Sequence, residues 1–107
     1  MSGAADDMGS LLKQAQKMQR ELDLAREELE ELRVEGSAAG GLVTVIVSGS
    51  GLVRSVKIAP ETLDQGGLAG VEEWVLAAVT DGLQRAKMLR EERLSKVTGG
   101  LNLPGLL

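Results

Sequence analysis

Residues 8–33 read MGSLLKQAQKMQRELDLAREELEELR, in which apolar residues recur at alternating spacings of three and four. This spacing places a narrow apolar stripe along a helix, the heptad pattern of a helix that packs against another helix. At roughly 1.5 Å per residue the helix would be about 39 Å long, too long to lie across a small core. The stretch predicts a projecting arm with a seam of Met8, Leu11, Ala15, Met18, Leu22, Ala25, Leu29 and Leu32.

The segment after the arm changes to an alternating, strand-like period. The arm is predicted to end near Glu35-Gly36, although residues 32–37 also read as a short first strand. Three alternate valines would share one face of a second strand, the glycines of Gly49-Ser50-Gly51 permit a tight hairpin, and residues 52–58 would form the return strand. The three valines are Val43, Val45 and Val47.

A second helical period begins at Val71 and is predicted to stop at Gly99-Gly100, after a glycine-rich loop over residues 66–70. The predicted fold class is therefore α+β: a long N-terminal helix, a small three-stranded antiparallel sheet and a long C-terminal helix. Residues 8–98 would form a single domain, between a disordered N-terminus (1–7) and a flexible apolar tail (99–107).

The composition excludes several chemistries. The chain has no Cys and no His, so disulfides, thiolate or imidazole metal sites and a histidine base are excluded. Gly49-Ser50-Gly51 lacks the third glycine and the following helix of a dinucleotide site. We expect a non-enzyme with no cofactor, no metal and no small-molecule substrate. No apolar run suits a membrane, and no secretory leader is visible, which favours the cytoplasm.

The aromatic content predicts self-association. Trp74 is the only aromatic residue, so the core must be built from smaller side chains. A small domain of this kind buries little surface by itself, and oligomerisation is the usual remedy.

The net charge of −4 is the sum of basic and acidic segments that alternate along the chain. Residues 8–20 carry three bases and no acid, and residues 21–35 carry seven acids against two bases. Residues 60–84 carry five acids and no base, and residues 85–96 carry five bases against two acids. If the helices pack antiparallel, both basic segments are expected to converge at one arm tip with a formal charge of +6. The tip residues would be Lys13, Lys17, Arg20, Arg85, Lys87, Arg90, Arg93 and Lys96.

A basic tip suits a polyanion, because Lys and Arg displace condensed counterions from phosphates. A second interpretation stays open, since charged flanks also keep a long helix in solution and cations near a helix C-terminus complement its dipole. That dipole effect does not explain the acid-free basic stretch at the start of the first helix.

Three strings, in order along residues 8–105, resemble one family. LLKQAQKMQ (11–19) resembles the opening helix of the YbaB/EbfC family of bacterial nucleoid-associated proteins. GLVTV (41–45), GSG (49–51) and SVKIAPE (55–61) resemble its hairpin, and TGGLNLPG (98–105) resembles its C-terminal signature.

This resemblance implies a tweezer-like homodimer in the nucleoid that binds double-stranded DNA and alters its conformation, in nucleoid organisation or gene regulation. It also implies that the DNA contacts lie on the first and last helices, which assigns them to the same eight tip residues. The alternative hypothesis is a protein–protein interaction module that uses the heptad seam and the apolar tail.

Overall fold

The computed structural model describes residues 3–99. Its three strands form one antiparallel sheet in chain order, and a long helix precedes and another follows them in the sequence, which confirms the predicted α+β fold class. The described region is elongated, with principal extents of 79 × 20 × 16 Å. In chain order the elements are α1 (Gly3–Glu31), β1 (Arg33–Ala38), a 3-10 turn (Ala39–Gly41), β2 (Val43–Ser48), β3 (Val53–Ile58) and α2 (Glu61–Thr98).

The bounds of α1 differ from the prediction at both ends. The helix begins at Gly3, so the expectation of a disordered segment over residues 1–7 fails for residues 3–7. Alanines and acidic residues there favour a helix N-terminus. At the other end α1 stops at Glu31 instead of near Glu35-Gly36, because the chain enters β1, as the alternative interpretation of residues 32–37 anticipated.

The inner face of the sheet packs against α2. Val43, Val45 and Val47 are fully buried there, as their alternation predicted. β1 approaches α2 so closely that a Cβ atom built on Gly36 would lie 2.3 Å from the Ala78 carbonyl oxygen. The backbones of a strand and a helix are thus in direct contact, which only a residue without a side chain allows.

The arm is a pair of helices held by the predicted seam. Leu22 and Leu29 of α1 and Leu94 of α2 are buried together in a cluster. The heptad seam therefore packs within one protomer along its sheet-proximal half. Towards the tip, Met8 and Leu11 are each 61% exposed.

Glycines shape both ends of α2. Residues 66–70 were expected to form a loop, but they are helical apart from a break at Gly67, which has φ 62° and ψ −166°. The Trp74 ring lies against Gly66, where an added Cβ atom would be 2.7 Å from the ring, so close packing holds the segment in place. The C-terminus matches the prediction: Gly99 adopts a left-handed conformation and caps the helix.

β3 is an edge strand that α2 leaves uncovered. The register pairs Val56 with Val45 and Ile58 with Val43, so these β3 residues point to the inner face of the sheet. They remain 45% and 43% exposed, as does Val53 at 45%. Val53, Val56 and Ile58 are hereafter called the β3 apolar face. The predicted tail, beyond Gly99, lies outside the described residues.

Candidate nucleic-acid interface

The helices of the arm run antiparallel, with α1 extending further. Near the sheet, the Gly49 amide donates to the Leu32 carbonyl and Arg90 Nη1 donates to the Gly49 carbonyl. Further out, Arg93 Nη1 lies 4.0 Å from Glu28 Oε2. Arg93 is level with Glu28, so the end of α2 at Thr98 is level with about residue 23 of the antiparallel α1. Because a helix rises about 1.5 Å per residue, Lys13 lies roughly 15 Å beyond the end of α2.

Lys13, Lys17 and Arg20 occupy this projecting part of α1, which we call the α1 tip (residues 13–20). All three are exposed, and their spacing of four and three places them on one helix face. Lys17 Nζ lies 3.9 Å from Glu21 Oε1, and its side chain is 73% exposed. The α1 tip therefore presents three positive charges to solvent.

The predicted convergence of all the basic residues at one tip is wrong. The basic segment of α2 lies beside the acidic half of α1, not beside the α1 tip. The reason is the register that Leu22, Leu29 and Leu94 impose on the two helices. Glu21 and Glu28 of α1 consequently share an open groove of about 300 Å³ with Arg93 and Lys96 of α2.

Most basic residues of α2 bind acceptors within the protein. Arg90 binds the carbonyl of the hairpin turn at 3.1 Å, and Arg85 Nε donates to Asp81 Oδ1 at 3.0 Å. Lys96 lies 3.6 Å from Glu92. Within residues 3–99, three of the eight predicted DNA contacts have neither a hydrogen bond nor an ion pair: Lys13, Arg20 and Lys87.

A polar cluster that the sequence did not reveal joins the arm to the hairpin. Glu30, in the last turn of α1, accepts from Arg54 of β3 at 2.6 Å and from the hydroxyl of Ser50. The hydroxyls of Ser48 and Ser50 are in turn 2.6 Å apart. No local pattern links residues this distant along the chain. The cluster fastens the base of the arm to the sheet.

Asp81 ties α2 to β1. The Ser37 amide donates to Asp81 Oδ2 at 3.0 Å, and Arg85 donates to the other oxygen. Both bonds stabilise the ionised carboxylate, so they lower the pKa of Asp81 below its ordinary value, the Ser37 bond having the larger effect.

The lowered pKa of Asp81 predicts a pH-dependent stability. A folded-state pKa below the unfolded one stabilises the protein above the unfolded value, about 3.9, and the effect is lost as the pH falls through the folded-state pKa. We expect Asp81→Asn to lower the melting temperature at neutral pH and the gap from wild type to close below about pH 4. Thermal unfolding of both proteins across pH measures this. A gap of constant size down to the lowest pH would contradict it.

Within the part of the chain that the structure describes, no helix is long and apolar enough to cross a membrane.

Comparison with known proteins gives one family match. Residues 3–101 match the YbaB/EbfC DNA-binding family. A nucleoid-associated protein of Saccharopolyspora erythraea is 43% identical, over 97% of both chains. A nucleoid-associated protein of Alkaliphilus metalliredigens is 40% identical over 97% of this chain and 91% of that protein.

The fold is also seen in a solved structure. The crystal structure of an uncharacterised protein from Helicobacter pylori superposes with a TM-score of 0.69. It covers 86% of this chain and 94% of the other, at 22% sequence identity. At that identity the match supports the architecture alone.

Proposed function

Because the chain belongs to the YbaB/EbfC DNA-binding family, we propose that it is a nucleoid-associated protein that binds duplex DNA through the α1 tips of a homodimer. The observation that carries this proposal is the exposed, acid-free group of Lys13, Lys17 and Arg20 on the part of α1 that extends beyond α2. Such cations bind phosphates without reading base sequence. The remaining predicted contacts, on α2, would contribute less because most of them already bind acceptors within the protein.

The β3 apolar face supports the homodimer. It continues the buried inner face of the sheet, yet α2 does not cover it and its side chains remain almost half exposed. A second copy of the chain packed there would complete a core that contains one aromatic residue. Two arms would then project from one central body as a pair of tweezers.

Two arms on one body would hold a duplex at two separate points. We propose that this changes the conformation of the DNA and serves nucleoid organisation or gene regulation, in the cytoplasm. No catalytic step forms part of the proposal. The alternative role as a coiled-coil module has less support, because Leu22 and Leu29 of the seam are each only 1% exposed.

The salt dependence of DNA binding tests the proposal. Three cations on each of two α1 tips give about six phosphate contacts, so log affinity should fall against log salt with a slope of about −5. Fluorescence anisotropy of the wild-type protein with a labelled duplex, between about 50 and 200 mM salt, measures the slope. Two duplexes of unrelated sequence should give similar affinities.

A flat response to salt would contradict the proposed phosphate contacts. A strong preference for one of the two duplexes would contradict backbone recognition, since phosphate contacts carry no sequence information directly.

A further inference from the structure

We propose that Glu21 and Glu28 determine where on the arm DNA binds, by lowering the positive potential around Arg93 and Lys96 so that the duplex contacts the α1 tip alone. This inference rests on the proposed DNA binding and names two specificity-determining residues for it. Neither carboxylate would contact the DNA itself.

The groove between the helices carries charges of both signs. Glu28 and Arg93 face each other across it with 4.0 Å between Oε2 and Nη1. Glu21 lines the same groove as Lys96 and also lies 3.9 Å from Lys17. Both acids of α1 therefore place negative charge in the same groove as the two cations of α2.

The charges of this groove affect DNA binding more than they affect folding. Arg93 is 41% exposed and Glu28 is 69% exposed, so the pair contributes little to stability in water. For an incoming phosphate, however, the carboxylates repel the ligand and reduce the counterions that Arg93 and Lys96 can release. A phosphate gains little by contacting the groove, whereas the α1 tip carries no acid between residues 13 and 20.

The test neutralises the two carboxylates with little change of shape. In Glu21→Gln/Glu28→Gln, Arg93 loses its ion pair with Glu28, whereas Lys96 keeps its pair with Glu92. One more contact per protomer, two in a dimer, would steepen the salt slope from about −5 towards about −7. We expect affinity for a duplex at physiological salt to rise at least about tenfold. Circular dichroism should report unchanged helix content, since glutamine is as good a helix former as glutamate.

The matched control is Glu72→Gln/Glu73→Gln. It makes the same change in net charge on exposed residues of α2, on the sheet side of the molecule. We expect affinity to change by less than about threefold and the slope to stay near the wild-type value, because exposed charges more than a Debye length away are largely screened.

A second pair of variants isolates the cations. Arg93→Gln/Lys96→Gln should leave wild-type binding within about twofold, yet remove the gain when combined with Glu21→Gln/Glu28→Gln, as a double-mutant cycle would report.

The outcomes separate this inference from the proposed function. If the wild-type protein binds DNA but the Glu21/Glu28 variant gains no more than the Glu72/Glu73 control, the inference is overturned and DNA binding stands. If Arg93→Gln/Lys96→Gln weakens wild-type binding tenfold, the groove already contacts DNA and the inference is likewise overturned. If neither the wild type nor any variant binds a duplex at low salt, the proposed function itself fails.

Discussion

Replacing Gly36 with alanine should unfold the protein or lower its stability by about 3 kcal/mol or more. A Cβ atom at this position would lie 2.3 Å from both the Ala78 carbonyl oxygen and the Gly82 amide nitrogen, and 2.6 Å from the Gly82 Cα atom. All three are backbone atoms of α2, so no side-chain rotation relieves the overlap. The strand and the helix would have to separate, which would disturb the buried valines of β2.

Chemical or thermal denaturation measures the effect. For a domain of this size, a loss of 3 kcal/mol lowers the melting temperature by more than about 12 °C. A melting temperature within a few degrees of wild type would contradict the direct contact between the backbones of β1 and α2.

Gly82→Ala is the matched control from the other side of the same contact. Its Cβ atom would lie 3.4 Å from Val47 Cγ1 and 3.5 Å from the Gly36 Cα atom, which is ordinary van der Waals contact. Alanine also favours a helix interior over glycine by about 1 kcal/mol. We expect the stability of this variant to change by no more than about 1 kcal/mol. The contrast between the two variants would assign the loss to the backbone overlap at Gly36.

The sequence predicted the elements in which apolar residues recur at a regular spacing. The heptad seam predicted the arm, and Leu22 and Leu29 are indeed buried within it. The alternation of the β2 valines predicted the core face of the sheet, and Gly99 ended α2 as expected. These features are local, because periodicity and capping depend on residues a few positions apart.

Features that depend on distant residues were not predicted. The sequence left both a helix and a strand open for residues 33–35, and their pairing with β2 makes them a strand. Residues 66–70 were expected to be a loop because of their glycines, yet contact with Trp74 accommodates them in α2. In both places tertiary contacts outweigh local propensity.

The charge blocks at the candidate site were likewise predicted only in part. Their signs follow from the sequence, and antiparallel packing was the condition under which the basic segments were expected to converge. The position of the basic block of α2 relative to that of α1 was not predicted, because it depends on which leucines of α1 contact Leu94. Arg93 lies opposite Glu28, so the α1 tip extends beyond the end of α2.

Reversing the three cations of the α1 tip should abolish most DNA binding. Lys13→Glu/Lys17→Glu/Arg20→Glu removes about six phosphate contacts from a dimer and adds repulsion at each site. We expect affinity for a duplex at low salt to fall at least about a hundredfold. The measurement is anisotropy with the duplex used for the wild type, together with circular dichroism and sedimentation equilibrium.

The fold and the dimer should survive this triple reversal. All three residues are exposed, and glutamate is as good a helix former as lysine or arginine. The new like-charged pair of residue 17 with Glu21 costs only about 0.2–0.5 kcal/mol. A loss of binding that coincides with a loss of helix or of the dimer would not count in favour of the proposed contacts.

Two single substitutions locate the contact along the arm. Lys13 and Lys87 are both exposed lysines without an ion pair in residues 3–99, the first on the α1 tip and the second on the sheet side of the α2 basic segment. Lys13→Glu should weaken binding about tenfold, and Lys87→Glu should weaken it less than about threefold, since Lys87 lies well over a Debye length from the tip. Equal losses would mean that the duplex runs along the whole arm. Survival of binding in the triple variant would mean that DNA contacts another surface altogether.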